Sequence, residues 1–428
     1  MDAGHRLRPA LPEHRRRNPD TDGPSGQHVP GPRAGQSLRR PGGERRLPPR
    51  AEHDRRPPGT VLTPPDAACP SRSPPHHCGP QRLRGRPAVV RRTCGAVVNG
   101  LCSLLGVEAP IVLAPFGPWE EVELAAAVCN AGGLGSLGTA LRSTDELRQQ
   151  WRRLRELTDR PFAVNHTGRP LNQEAFDATL EARPAAISFH MGIPADLIAQ
   201  AHDQGISWIQ AVGDVDAADM ALEAGADVLI AQGTESGGNA GWISTLVLVP
   251  AVVDLAGTTP VVAAGGIADG RGMAAALALG AQGVSLGTRF LATTEMTIDQ
   301  AWKDRIVAAH ARDAVKVANA DRALPPFNLA QVGAPFAPRA LRTPLVDQLE
   351  QDPDSLDPPA LAARVRAGVL AGGGHDLLPF TGQSAELIHD IVSAAEVVSR
   401  LMTECAAALH QAETVLPSGA SIAPMGQT

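Results

Sequence analysis

The chain is 428 residues long, enough for one large domain or two ordinary ones. Residues 1–92 hold 19 arginines, no lysine and eight acids, while the remainder holds 20 basic and 37 acidic residues within an overall charge of −6, and so acidic a main body argues against a nucleic-acid partner. No run of 18 apolar residues suggests a membrane span, and the six cysteines show neither disulfide-framework nor metal-ligand spacing, which together point to a reducing cytoplasm.

The first stretch carries 18 of the 38 prolines and few apolar clusters, so it cannot bury enough surface to offset its chain entropy. It is expected to be disordered over residues 1–96. A nucleic-acid arm would offer aromatics for stacking, and a transit peptide would be poor in acids; neither description fits. The chain has two lysines against 37 arginines, the bias of a GC-rich coding sequence. The stretch therefore reads as translated sequence upstream of a folded domain that starts near Val97.

From residue 107 short apolar runs alternate with amphipathic ones. The predicted strands are 111–114, 133–138, 162–165, 185–189, 207–211, 227–231, 260–264 and 283–287. Helical patterns lie between them, such as "EEVELAAAVCNAG" at 120–132 and "STDELRQQWRRLRELT" at 143–158. Ser143 and Glu146 have capping-box spacing, and several of these patterns end in glycine. Eight such units predict an α/β fold, a (β/α)8 TIM barrel over 97–290, with an open doubly wound sheet as the alternative. Residues 291–318 read as helical, and 383–412 read as a long amphipathic helix. The Pro/Gly-rich 321–380 between them either wraps the mouth or packs against the barrel. Thus 291–412 forms a C-terminal extension, and 413–428 a flexible tail.

Two stretches carry the strongest chemical signal, "VVAAGGIADGRG" at 261–272 and "VSLGTRF" at 284–290. In each, a buried strand empties into glycines whose amides, with a helix N-terminus, can hold an anion. Either turn alone would be explained by the need for glycine in a tight turn. Two at adjacent final strands favour a phosphate, the usual position in barrel enzymes.

With "PIVLAPFG", "NAGGLGSLG", "FAVN", "IAQGTESGG", "AAGGIADGRGMAAALALGAQGVSLGTRF" and "FTGQSAELIHDI", the chain resembles the FMN-dependent nitronate monooxygenases from about Val107 to about Ala408. A flavin-containing enoyl-acyl-carrier-protein reductase is a close relative of that family. The resemblance implies FMN as cofactor and O2 as electron acceptor, with a small-molecule substrate. It implies that Ala114, Pro115 and Phe116 lie against the flavin ring, with Asn165 and Gln232 facing it. Gly265, Gly266, Gly287 and Thr288 would hold the phosphate, and Gln383 would close the site.

One position departs from the family. Where Gly-Gly-His is usual after the sixth strand, this chain reads Gly237-Gly238-Asn239. Histidine can take a proton near neutral pH, whereas an amide can only donate and accept hydrogen bonds. The expectation is a site that oxidises nitronates, which have already lost the α-proton, and handles neutral nitroalkanes poorly. His166 and His190, both expected at the catalytic end, are the substitute bases to weigh against loop-capping roles, with His190 favoured. Glu235 is expected to fix the loop through its amides. The chain contains no tyrosine, so an aromatic pocket role would fall to Phe380, Phe189 or Trp242. An NAD(P)H-fed reductase and a weakly active FMN-binding barrel are the alternative functions.

Overall fold

The computed structural model describes residues 99–117, 119, 122–167, 171–324, 337–371 and 376–415. The tail expected over 1–96 lies outside them, as do 416–428 of the tail expected over 413–428. All eight predicted strands form within two residues of their expected limits. They are β1 (Ile111–Leu113), β2 (Gly135–Gly138), β3 (Phe162–Thr167), β4 (Ala186–His190), β5 (Ser207–Val212), β6 (Val228–Gln232), β8 (Val261–Ala264) and β9 (Gly283–Leu286). A short β7 (Gly238–Ala240) intervenes, so the predicted seventh and eighth strands are β8 and β9.

The order is β1-β9-β8-β6-β5-β4-β3-β2, with all pairs parallel. Leu134 closes the ring: its carbonyl accepts from Leu113 N and its amide donates to Ile111 O, each at 2.9 Å. Closure decides for the barrel over the open sheet. The helices between strands are α2 (Val122–Asn130), α3 (Thr144–Leu157), α4 (Gln173–Ala182), α5 (Ala195–Asp203), α6 (Val215–Glu223), α7 (Thr245–Ala256) and α8 (Gly270–Ala278). The Ser143–Glu146 capping box starts α3 as read from sequence.

Alternation along the strands splits the core in two. Val112, Ala163, Ile209, Val228, Ile230 and Val262 fill the barrel, and Leu101 and Leu105 of α1 (Gly100–Leu105) complete that cluster. Phe162, Val164, Ile187, Trp208 and Leu229 face the helices instead. Gly283 opens β9 because a Cβ there would lie 2.5 Å from Leu101 Cδ2. Gln282 ties α1 down, its carbonyl accepting from Asn99 Nδ2 at 2.8 Å and its Oε1 from Leu101 N at 3.2 Å. Each leucine so buried contributes roughly 1.5–3 kcal/mol. The amino end of the barrel is thereby plugged, which leaves the carboxyl end as the mouth.

After the barrel come α9 (Thr288–Leu291), α10 (Gln300–Ala308), β10 (Ala314–Lys316), β11 (Ala337–Leu341), α11 (Pro344–Gln351), α12 (Pro358–Leu370) and α13 (Ala394–Val415). The helix expected over 291–318 is interrupted, because 314–316 pairs with β11 and β11 pairs with β7 in an antiparallel sheet. That pairing sets the described part of the extension on the loop at the mouth. The helix expected from 383 begins only at Ala394. Upstream of it Gln383–Leu387 forms only a short 3-10 helix, and the amides of Gly382 and Gln383 at its start donate to Thr288 Oγ1 and Glu235 O, each at 2.9 Å. At its other end α13 includes residues 413–415, which the sequence reading assigned to the flexible tail. Among the described residues no helix is long and apolar enough to cross a membrane.

Candidate active site

The inward side chains change character at the strand ends. Below the rim Val112, Ala163 and Ile209 are buried, whereas Ala114, Asn165, Ala211 and Gln232 at the rim are half-buried. This marks a hollow over an apolar floor. Asn165 is oriented by donating from Nδ2 to Ser188 Oγ at 3.0 Å and to Ser188 O at 3.2 Å. Pro115 and Phe116 follow β1 on the same rim, half-buried. Their loop is fixed by the Arg142 guanidinium, which donates to the carbonyls of Gly117, Gly138 and Trp119.

The two glycine turns meet at this rim. Gly265 and Gly266 have φ of +103° and +73°, a region costly to any residue with a Cβ. A Cβ on Gly265 would lie 2.7 Å from Ser236 Oγ and 2.9 Å from Thr245 Oγ1. One on Gly287 would stand 3.6 Å from Ala114 Cβ and 3.8 Å from the Phe116 ring, so the second turn faces the β1 loop. Among the described residues, the amides of Gly265, Gly266, Gly287 and Thr288 have no recorded protein acceptor. The N-terminus of α8 is different. Asp269 accepts from Arg271 N and Gly272 N, and Glu404 accepts from Gly270 N, all at 3.0 Å. The helix start left to assist an anion is therefore that of α9, beginning at Thr288, and not that of α8.

The loop from β6 to α7 forms the third wall. The Glu235 carboxylate accepts from Thr245 N at 3.0 Å and Thr245 Oγ1 at 2.8 Å, so it ties the loop to the start of α7 and not, as expected, to the loop's own amides. Gly237 sits so close to Thr381 and Gly382 that a Cβ would lie 2.7 Å from Gly382 N. The half-buried Gln383 is held beside it through the bond to Glu235 O. Asn239 lies in β7 opposite Pro338, half-buried, with its Oδ1 buried and without a donor among the described residues.

The two histidines part company. His190 ends β4 on the inward side, half-buried, and desolvation pushes its pKa down to about 4. Beyond it Met191 and Gly192 have φ of 62° and 111°, and Gln210 Nε2 holds the turn by donating to Gly192 O at 3.0 Å. His166 is one residue from the inward Asn165 and so points outward, between β3 and α4. Its Nε2 lies 2.9 Å from Thr179 Oγ1 and its Nδ1 3.3 Å from Thr139 Oγ1. Thr179 gives its own proton to Ala175 O at 2.8 Å, so Nε2–H is the donor in that pair. Burial pushes His166 down to about 4 as well, and Phe176 packs edge-on against it at 5.4 Å. His166 is a core residue and does not reach the mouth, which corrects the expectation that both histidines do. Phe189 also points outward, stacking on Trp208 at 5.2 Å. Phe380 is half-buried and Trp242 exposed.

Sequence reasoning passed over Arg142, Thr245 and Arg339. The Arg339 guanidinium donates from Nε and Nη2 to Thr234 O at 3.0 and 2.9 Å, and from Nη1 to Ala314 O at 2.5 Å. Only Thr245 left a trace, in the "IST" that precedes the apolar run of α7.

Fold and rim together define a (β/α)8-barrel enzyme with an anion-ready pair of turns facing a half-buried cavity floor. The nitronate monooxygenase family model matches residues 99–404, and the chain belongs to that family, as an oxidoreductase. It is 34% identical over 370 residues to the nitronate monooxygenase of Paraburkholderia phytofirmans, covering 73% of this chain and 96% of that one. It is 38% identical over 258 residues to the (3aS,4S,5R,7aS)-5-hydroxy-7a-methyl-1-oxo-octahydro-1H-indene-4-carboxyl-CoA dehydrogenase of Mycobacterium tuberculosis, covering 58% of this chain and 68% of that one. Among solved structures it is similar to FabK from Thermotoga maritima, with a TM-score of 0.67 and 34% identity, covering 75% of this chain and all of that one.

Proposed function

We propose that this protein binds FMN at the barrel mouth and oxidises alkyl nitronates with O2, taking its substrate already ionised. The observation that carries the cofactor reading is the cradle of two turns, Gly265 and Gly266 at positive φ and Gly287 with Thr288, whose unaccepted amides suit a phosphate and where a Cβ on Gly265 would intrude. Asn165 and Gln232 then hydrogen-bond the ring, Ala114, Pro115 and Phe116 pack against it, and Gln383 closes the site. FMN, when bound, supplies the acceptor for the substrate's electrons and their passage to O2.

Asn239 binds and orients. With its Oδ1 buried, the amide nitrogen is the group it presents to a nitronate oxygen, and such a donor gains strength in a water-poor cavity. It holds no proton. His190 is a poor substitute, because burial makes its protonated form costly well below neutral pH. A neutral nitroalkane therefore meets no competent base here, whereas a nitronate needs none. Steady-state turnover of pre-ionised against neutral nitroethane tests this, and equal kcat/KM values would sink it.

The likeness to a CoA-thioester dehydrogenase favours a second reading, a flavin enzyme for acyl thioesters coupled to NAD(P)H. Anaerobic mixing of the FMN-loaded protein with nitronate and with NAD(P)H, each alone, separates the two by which one bleaches the flavin band. Bleaching by neither would leave the weakly active barrel. Protein that stays colourless and takes up no FMN would remove every flavin reading.

A further inference from the structure

The chain has two lysines, Lys303 and Lys316, and each buries its charge against main-chain carbonyls. Lys303 donates to Thr293 O at 2.7 Å, in the core beyond the barrel. Lys316, on β10, donates to three carbonyls, Ala240 O at 2.7 Å and Gly241 O and Ala337 O at 2.9 Å each. Its ammonium also lies 5.2 Å from the centre of the Trp242 ring. Three N–H donors thus meet three acceptors, and two of those belong to the loop immediately after Asn239. The other end of the same loop is held at Thr234 by Arg339 of β11.

We propose that Lys316 is a positioning residue for the substrate: its ammonium, caged by the carbonyls of Ala240, Gly241 and Ala337, sets where Asn239 stands over the barrel mouth. This rests on the reading of Asn239 as the substrate contact. β7 is three residues long and reads Gly-Asn-Ala, none of them a strand former, so its own preference for a strand is weak. Pairing with β11 and the two flanking cations fix it instead. A neutral amine would bring two N–H groups to three carbonyls and turn its lone pair on the third. Burial pushes Lys316 down to about 8, with repulsion from Arg339 acting the same way and Glu235 opposing it.

The test is Lys316→Met in the full chain, with Lys303→Met as the comparison, read by hydrogen–deuterium exchange, FMN titration and nitronate kinetics. For Lys316→Met, amides of 232–241 should exchange faster while β1–β5 amides do not. KM for nitronate should rise about tenfold with kcat little changed, as expected for a displaced binding group, and FMN affinity should stay within about twofold. Lys303→Met should leave the loop amides at wild-type rates. Unchanged loop exchange in Lys316→Met, or faster exchange spread evenly over the barrel, overturns the proposal. If Lys316→Met fails to fold, wild-type exchange at pH 7 and pH 9.5, corrected for intrinsic rates, decides: loss of protection confined to 232–241 supports it, and no change overturns it. Wild-type protein inert towards nitronate would fault the proposed function alone, because the exchange result still reads the positioning.

Discussion

Replacing Gly287 by alanine separates a ligand's need for glycine from the backbone's. The residue has φ of −107°, which alanine adopts freely, and its new Cβ would meet Ala114 and Phe116 at ordinary contact distances of 3.6 and 3.8 Å. Folding stability should therefore change by no more than about 0.5 kcal/mol. The methyl would nonetheless occupy the space over the amides of Gly287 and Thr288. Losing one hydrogen bond to a charged phosphate costs about 1.5–3 kcal/mol, or roughly 10- to 150-fold in affinity. Quenching of FMN fluorescence on titration with apoprotein gives the affinity, and urea midpoints give the stability. Gly265→Ala is the contrast. It forces a positive φ and sets a Cβ 2.7 Å from Ser236 Oγ and 2.9 Å from a Thr245 hydroxyl already tied to Glu235, so it should lose stability and affinity together. Wild-type FMN affinity in a well-folded Gly287→Ala protein would refute the assignment of the phosphate to this cradle.

Asn239→His should raise kcat/KM for neutral nitroethane by about 100-fold, the low end for a positioned general base, and leave nitronate turnover within a few-fold; no gain with nitroethane would count against the missing-base argument. His166 is neutral when folded, at about 4, against an ordinary value of 6.5, so its contribution is complete above pH 6.5 and lost as pH falls towards 4. Unfolding free energy from urea titrations should drop over that window by up to about 3 kcal/mol, and His166→Gln should flatten the slope without changing turnover at pH 7. Glu235→Gln weakens the cap of α7 and should cost about 1–2 kcal/mol in stability while raising the FMN dissociation constant several-fold, since the Thr245 hydroxyl held by this carboxylate also lies 3.0 Å from Gly265 O in the glycine turn.

The barrel was legible because each strand is a short apolar run set off by glycine, and that pattern repeats eight times. The glycine turns were legible because they crowd two adjacent strand ends. The small antiparallel sheet was not. Gly238–Ala240 has no strand-like composition, and its partner at Ala337–Leu341 lies about a hundred residues away, so only tertiary pairing defines it. The orientation of His166 was available and was missed. Asn165 and His166 are neighbours on one strand and cannot both face the mouth, so assigning the first to the ring already turned the second outward. In a barrel both faces of a strand are buried, and hydrophobicity alone therefore does not reveal which parity points inward. The roles of Lys316 and Arg339 could not be read from spacing at all, because their acceptors are backbone carbonyls, which no side-chain pattern announces.

The stitching of Gly382 and Gln383 to Thr288 and Glu235 has a consequence for biosynthesis. A ribosome that has released residues 99–291 has delivered all eight staves and the plug beneath them, yet the upper rim still lacks its last piece, encoded more than ninety residues further downstream. Whatever ligand the hollow retains tightly can be locked in only once residues 382 and 383 have followed, so loading waits on chain made long after the barrel it serves.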